Sequence, residues 1–320
     1  CLQNERKDAG SLSDDFTTDI LVDGHIVWVG TRAGLNRVTC GEDGEILKLD
    51  REHIRAGGTS GEFVSFIHKS ADDSLWVSVL GLGLAKLESE PSADSLAFRV
   101  YNKGNCPGFP NNEFESLLED GAGNFWMGGF GLIRFSPKTG AVKCFTRKDG
   151  LQSNAFKIWD AAMLGDGLMA FGGIEGFNIF SPEDIVDNPV RPQVRITGLT
   201  VNGKEATGDI LGGMPVRAAA SLRLGHRMNN IVFRFSAMHY ALPERNGYRY
   251  MMKGLDDGWH SATGLNPSAS YLNLRPGRYT FVVYGSNSDG VWSDAPARID
   301  IRILPPWYAS VPAIVFYAAL

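Results

Sequence analysis

The sequence predicts an all-β chain: a partial β-propeller of four-stranded blades, then an immunoglobulin-like β-sandwich, then the truncated start of a transmembrane helix. Three observations lead there. Up to residue 182 a strand pattern with a recurring tryptophan returns every 44 to 50 residues. Alternating apolar and polar runs broken by Pro, Gly, Asn and Asp turns fill the next stretch, of roughly 110 residues. After Arg302 no charged residue appears.

Four segments align in the first part: Val27-Trp28-Val29-Gly30-Thr31-Arg32-Ala33-Gly34-Leu35, Leu75-Trp76-Val77-Ser78-Val79-Leu80-Gly81-Leu82-Gly83-Leu84, Phe125-Trp126-Met127-Gly128-Gly129-Phe130-Gly131-Leu132 and Met169-Ala170-Phe171-Gly172-Gly173-Ile174-Glu175-Gly176-Phe177. The spacings at the Trp position, with Ala170 replacing it in the last, are 48, 50 and 44 residues. Strand-like runs precede the motifs, as in Phe16 to Asp23 and Asn112 to Asp120, and Val142 to Thr146 reads as a fourth strand. Four short strands per period of about 40 to 50 residues define a propeller blade. The indoles are expected to pack between blades, and the glycines to turn the second strand tightly into the third. Cys1-Leu2-Gln3-Asn4 shares the repeat phase of Cys144-Phe145-Thr146-Arg147, so the chain is expected to start inside an outermost strand, as a fragment.

These motifs resemble the two-component regulator propeller repeat over residues 11–182. Trp28 to Arg37 is close to the family pattern, whereas Ser78-Val79 replaces Gly-Thr in the second unit and Ala170 replaces Trp in the fourth. The resemblance implies more blades than four, since such propellers usually close with seven.

Residues 1–182 are therefore assigned to the partial propeller, and 183–195, with Pro189 and Pro192, to an extended linker. The sandwich spans 196–306, with strands at Ile231 to Phe235, Tyr248 to Met252, Tyr279 to Tyr284 and Arg298 to Ile303. This part resembles the three-Y domain that follows regulator propellers. The resemblance rests on Phe233-Arg234-Phe235, Tyr248-Arg249-Tyr250, Gly254-Leu255-Asp256, Trp259, Tyr271, Leu274 to Tyr279, Ser286 to Ser293 and Leu304-Pro305-Pro306-Trp307. Residues 307–320 begin with Trp307 and Tyr308 and stay uncharged, as in the aromatic belt and first half of a membrane span.

Composition limits the chemistry. With 31 Lys+Arg against 36 Asp+Glu and a net charge of −5, the chain has no basic footprint for nucleic acid. Cys1, Cys40, Cys106 and Cys144 form no C-x-x-C pair, and no two histidines have metal-site spacing. No nucleophile elbow, P-loop or dinucleotide fingerprint occurs, so neither a cofactor, a metal nor catalysis is expected. The carboxylate pairs Asp14-Asp15, Asp72-Asp73 and Asp256-Asp257 lie beside turn signals and read as turn caps.

Propeller geometry sends the links between blades, and the turns between second and third strands, to one face. Candidate ligand residues there are Arg32, Asn112, Phe130, Asn154, Phe156, Lys157, Trp159 and Glu175, with Glu113 beside them. Trp159 stands out because it lies in an inner strand where other blades carry small or aliphatic residues. Flanked by Lys157 and Asp160, its ring could stack on a sugar whose hydroxyls meet the polar groups; packing between blades is the alternative.

The two resemblances imply the periplasmic region of an inner-membrane hybrid sensor histidine kinase of a Bacteroidetes-type bacterium, the receptor of a phosphorelay. They further imply an oligosaccharide ligand, a homodimer through the three-Y domain and a membrane helix. The rival readings are a surface adhesion or scaffold module, and a propeller glycosidase or lyase, which would need two facing carboxylates.

Overall fold

The computed structural model describes residues 2–5, 7–8, 10–206, 208–211 and 214–309. They divide into two compact units that meet between Ile185 and Val186.

The first unit is a series of antiparallel sheets. Blade one comprises β1 (Thr17–Asp23), β2 (Ile26–Thr31), β3 (Gly34–Cys40) and β4 (Ile46–Glu52), and the small hairpin β5 (Arg55–Ala56) and β6 (Thr59–Ser60) follows it. Blade two holds β7 (Val64–Lys69), β8 (Leu75–Val79), β9 (Gly83–Leu87) and β10 (Phe98–Tyr101). Blade three holds β11 (Phe114–Glu119), β12 (Phe125–Gly129), β13 (Gly131–Phe135) and β14 (Val142–Phe145). The fourth departs from expectation, having three strands only: β15 (Phe156–Met163), β16 (Met169–Gly173) and β17 (Gly176–Phe180). Its chain leaves through a 3₁₀ turn at Pro182–Asp184, and Arg134 of blade three donates to the Ile185 carbonyl, 3.1 Å away.

The repeated residues have physical reasons. Trp28, Trp76 and Trp126 are essentially inaccessible. Each packs in a cluster with residues of the next blade: Trp28 with Val64 and Val77, Trp76 with Phe114, Phe125 and Phe135, Trp126 with Phe156, Met169 and Phe171. The glycine that opens each third strand has positive φ, +135° at Gly34, +126° at Gly83, +85° at Gly131 and +125° at Gly176. A Cβ at Gly131 would stand 2.5 Å from the Phe145 carbonyl oxygen, so conformation and space both demand glycine. Ser78, the departure in blade two, donates its hydroxyl to the Phe114 carbonyl of blade three at 2.8 Å.

Leu2-Gln3-Asn4, expected in an outer strand, form no strand. The Asn4 groups are taken elsewhere: its backbone N–H donates to Asp15 at 2.6 Å and its side-chain amide to the Leu12 carbonyl at 2.5 Å.

The second unit is a two-sheet sandwich. Its strands are β18 (Arg195–Val201), β19 (Lys204–Glu205), β20 (Ser221–Leu224), β21 (Ile231–Ser236), β22 (Gly247–Lys253), β23 (His260–Thr263), β24 (Ser268–Tyr271), β25 (Gly277–Gly285) and β26 (Ala297–Ile303). One sheet has the order β19-β18-β21-β24, the other β20-β26-β25-β22-β23, with β20 parallel to β26. Inward residues form one core in which Phe233 and Phe281 stack at 4.1 Å, joined by Leu199, Ile299 and Ile301. The tyrosines close polar bonds as they pack. Tyr248 accepts the Ala237 N–H at 3.2 Å, Tyr271 donates to Asp256 at 2.8 Å and Tyr279 to the Arg275 carbonyl at 2.9 Å. Burial, reinforced by Asp256, pushes the Tyr271 hydroxyl far above its usual titration range.

The segment expected as a linker is extended but fastened. The Asn287 amide donates to the carbonyls of Asn188 and Val190 at 2.8 and 3.0 Å, tying that stretch to the sandwich. Of the expected span at 307–320, Trp307–Ala309 form a 3₁₀ turn and the rest lies outside the described residues. Among the described residues no helix is long and apolar enough to cross a membrane.

Candidate ligand face at the inner-strand bulges

The inner strands β1, β7, β11 and β15 lie side by side and are cross-linked. The Ile67 N–H donates to Asp19 at 2.7 Å, the Ser65 hydroxyl to the Phe114 carbonyl at 2.6 Å, and the Trp159 indole to the Ser65 carbonyl at 2.9 Å. Near its start each inner strand carries a bulge. In blades one to three a single residue, Thr18, Ser65 or Glu115, has no partner on the second strand. In blade four the four residues from Lys157 to Asp160 face Gly172 alone, because Phe156 pairs with Gly173 and Ala161 with Phe171.

That enlarged bulge forces Trp159 to φ +64°, a left-handed conformation that is a genuine outlier for so bulky a residue. Strain of this kind costs on the order of 1–3 kcal/mol and concentrates at functional positions. The residue is half exposed while its indole N–H is anchored to blade two, linking blade four to it as the packing reading expects.

Glu115, on the neighbouring bulge, lies within electrostatic reach of Lys157 and the Ile158 N–H, both of which pull its carboxyl down. Burial raises its carboxyl above the ordinary value, against the pull of Lys157. Period-2 reasoning passed over Glu115 because the bulge breaks the alternation that tells which face a residue shares. The signal that could have found it is its place one residue into an inner strand, matching Thr18 and Ser65.

The other expected residues are spread around this face in different states. Phe156 is a correction: it is 3% exposed, packed edge-on to Phe171, and unavailable to a ligand. Asn112 and Asn154 fasten loops, accepting from the Lys103 and Arg147 N–H groups at 2.8 and 2.7 Å. Arg32 lies over the Phe16 ring at 3.8 Å. Phe130 is exposed, at the turn beside the Phe130 to Ala155 bridge, and Glu175 pairs with Arg147 at 3.3 Å. The face offers an indole, an ammonium and carboxylates, donors and acceptors suited to hydroxyl-rich rings. Among the described residues no group of three His, Cys, Asp or Glu could hold a metal ion.

A cavity of about 330 Å³ lies at the other end of the inner strands, lined by Ser70, Asp72, Glu119 and Asp120. Its carboxylates are occupied, Glu119 by His68 at 2.9 Å and the two aspartates as turn caps. Asp72 accepts the Ser70 hydroxyl at 2.5 Å, and Asp120 accepts the Asn124 N–H and the Trp126 indole at 2.8 and 2.9 Å. Burial alone would raise Asp120, but these donors hold it below the usual carboxylate range.

Comparison with known proteins now bears on the second unit. Residues 239–304 match the family model of the Y_Y_Y domain. This segment is a Y_Y_Y domain. The whole chain is similar to histidine kinase P4 of Formosa agariphila, 26% identical over 335 aligned positions that cover 99% of this chain and 23% of that protein. The chain thus spans under a quarter of that relative's length. The extracellular domain of the hybrid two-component system BT3049 from B. thetaiotaomicron superposes with a TM-score of 0.74 at 23% identity, covering 94% of this chain and 40% of that one. The chain therefore shares its fold with part of that extracellular domain.

Proposed function

We propose that this chain is part of the periplasmic sensor region of a hybrid two-component receptor, that it binds an oligosaccharide at the bulged ends of its inner strands, and that it has no catalytic role of its own. The similarity to histidine kinase P4 along 99% of the chain supports the receptor context. The observation that carries the ligand reading is the enlarged bulge of blade four, which holds Trp159 half exposed in a strained conformation. A neutral or acidic glycan would stack on that ring and bond Lys157 and the neighbouring carboxylates. In the full receptor the Y_Y_Y domain would pair two copies, and residues 307–320 would begin a membrane helix leading to the kinase. A ligand that moves such a switch from 1:99 to 99:1 must bind one arrangement better by about 5.5 kcal/mol. Calorimetry against a panel of neutral and uronate oligosaccharides tests the site: Trp159→Ala should weaken binding at least about tenfold, roughly 1.4 kcal/mol. Unchanged affinity in that variant would remove Trp159 from the site.

A further inference from the structure

One end of the sandwich combines unpaired cations with protruding apolar side chains. Arg223 of β20 lies in register with Arg302 of β26, and Arg302 with Arg278 of β25. Leu222, Leu224, Ile301 and Ile303 on either side of them are buried, so the three guanidinium groups share the outer face and are exposed. Like charges placed directly across strands destabilise a sheet, and among the described residues no ion pair engages any of the three. In a chain of net charge −5 this row is a local exception.

The loops at the same end point apolar residues outward. Leu255, between β22 and β23, is 49% exposed, and Leu272, between β24 and β25, is 68% exposed. Just past β26 stand Trp307 and Tyr308, both exposed, in a run from Ile303 to Leu320 without a charge. Of the nearby carboxylates, Asp300 stands on the same outer face two residues along β26 from Arg302 and accepts the Thr280 hydroxyl at 2.7 Å, Asp256 is held by the Tyr271 hydroxyl and the Met252 N–H, and Asp257 is exposed.

We propose that this end of the sandwich docks on an anionic phospholipid surface, with Arg223, Arg302 and Arg278 binding headgroup phosphates and Leu255 and Leu272 entering the interface. Arginine's planar fork matches phosphate oxygens two at a time. Basic clusters beside an uncharged run are attracted to anionic headgroups, and aromatic residues settle at that depth. A soluble polyanion would satisfy the arginines and leave the two leucines without a role. A second copy of this chain, related by a two-fold axis through the row, would set arginine against arginine. The proposal shares with the functional reading above a membrane beyond residue 307, and the test separates the two.

The 320-residue chain is sedimented with vesicles of phosphatidylcholine alone and with added phosphatidylglycerol. Binding to neutral vesicles reports on the uncharged run; the gain on adding anionic lipid reports on the arginine row. The wild type should gain on the order of 100-fold, about fivefold per arginine, and high salt should erase most of the gain. Replacing Arg223, Arg278 and Arg302 together by Ser should abolish the gain, leave neutral binding unchanged and keep or raise the melting temperature. Leu255→Ser with Leu272→Ser should lower binding to anionic vesicles several-fold. Equal wild-type binding to both vesicles, or a full gain in the arginine variant, overturns the proposal. So does dextran sulfate binding that competes fully with vesicles and ignores the leucine changes. Loss of neutral binding alone would remove the span reading and leave this one standing.

Discussion

In blades one to three a single unmatched residue interrupts the inner strand, and an indole from the second strand fills the space toward the next blade. Blade four has Ala170 at the indole position and four inner-strand residues facing one partner. Its aromatic is on the inner strand instead, as Trp159, half exposed and strained. The contrast teaches that the repeat is conserved in form where it must seal one blade to another. In blade four, where Ala170 stands at the indole position, the inner strand departs from the repeat in its register and in the backbone of Trp159.

The largest effect should come from the sealing residues. Trp76→Ala should cost about 3–5 kcal/mol of stability in denaturant titrations, as a buried aromatic deletion, whereas Trp159→Ala should cost no more than about 1 kcal/mol, the value of its one hydrogen bond. If the two cost the same, the division between sealing and binding aromatics is wrong. Next, Gly131→Ala should destabilise by roughly 2 kcal/mol, through positive φ and the nearby Phe145 carbonyl oxygen; a neutral result would show that the hairpin can shift without consequence.

Asp120→Asn tests how the third indole is held, and a loss of about 1–2 kcal/mol at neutral pH is expected because a charged acceptor is removed from four donors. The sign with pH follows from the lowered folded-state value of Asp120. Its contribution is fully present above the unfolded carboxylate value, about 3.9, and is lost as pH falls through the lower folded value. The wild type and variant should therefore converge in acid; a gap that persists undiminished there would mean that the charge was not responsible.

The smallest effect concerns Glu115, whose raised folded-state value implies the opposite sign. Its burial disfavours the folded state once the pH exceeds that folded value, and the penalty fades as pH drops toward the unfolded value. Glu115→Gln should leave stability equal or slightly higher at pH 7 while weakening any ligand that bonds the carboxylate. Clear destabilisation at pH 7 would show that the Lys157 attraction outweighs burial.

The sequence by itself determined the positions of the blades, the sealing indoles, the turn glycines and the alternating sandwich strands, because each depends on a short-range period. It also placed Trp159 in an inner strand and marked it as unusual. What only the tertiary structure decided was register. Whether one residue or four stand unmatched opposite a second strand cannot be read from alternation, since a slip of one position exchanges the faces. Register turned Phe156 inward and brought Glu115 within electrostatic reach of Lys157. It also aligned Arg223, Arg302 and Arg278, which stand far apart in sequence, into one row across three strands. Each of these placements depends on which residues the neighbouring strand presents, and that follows from hydrogen bonding across the whole sheet rather than from any local run of residues.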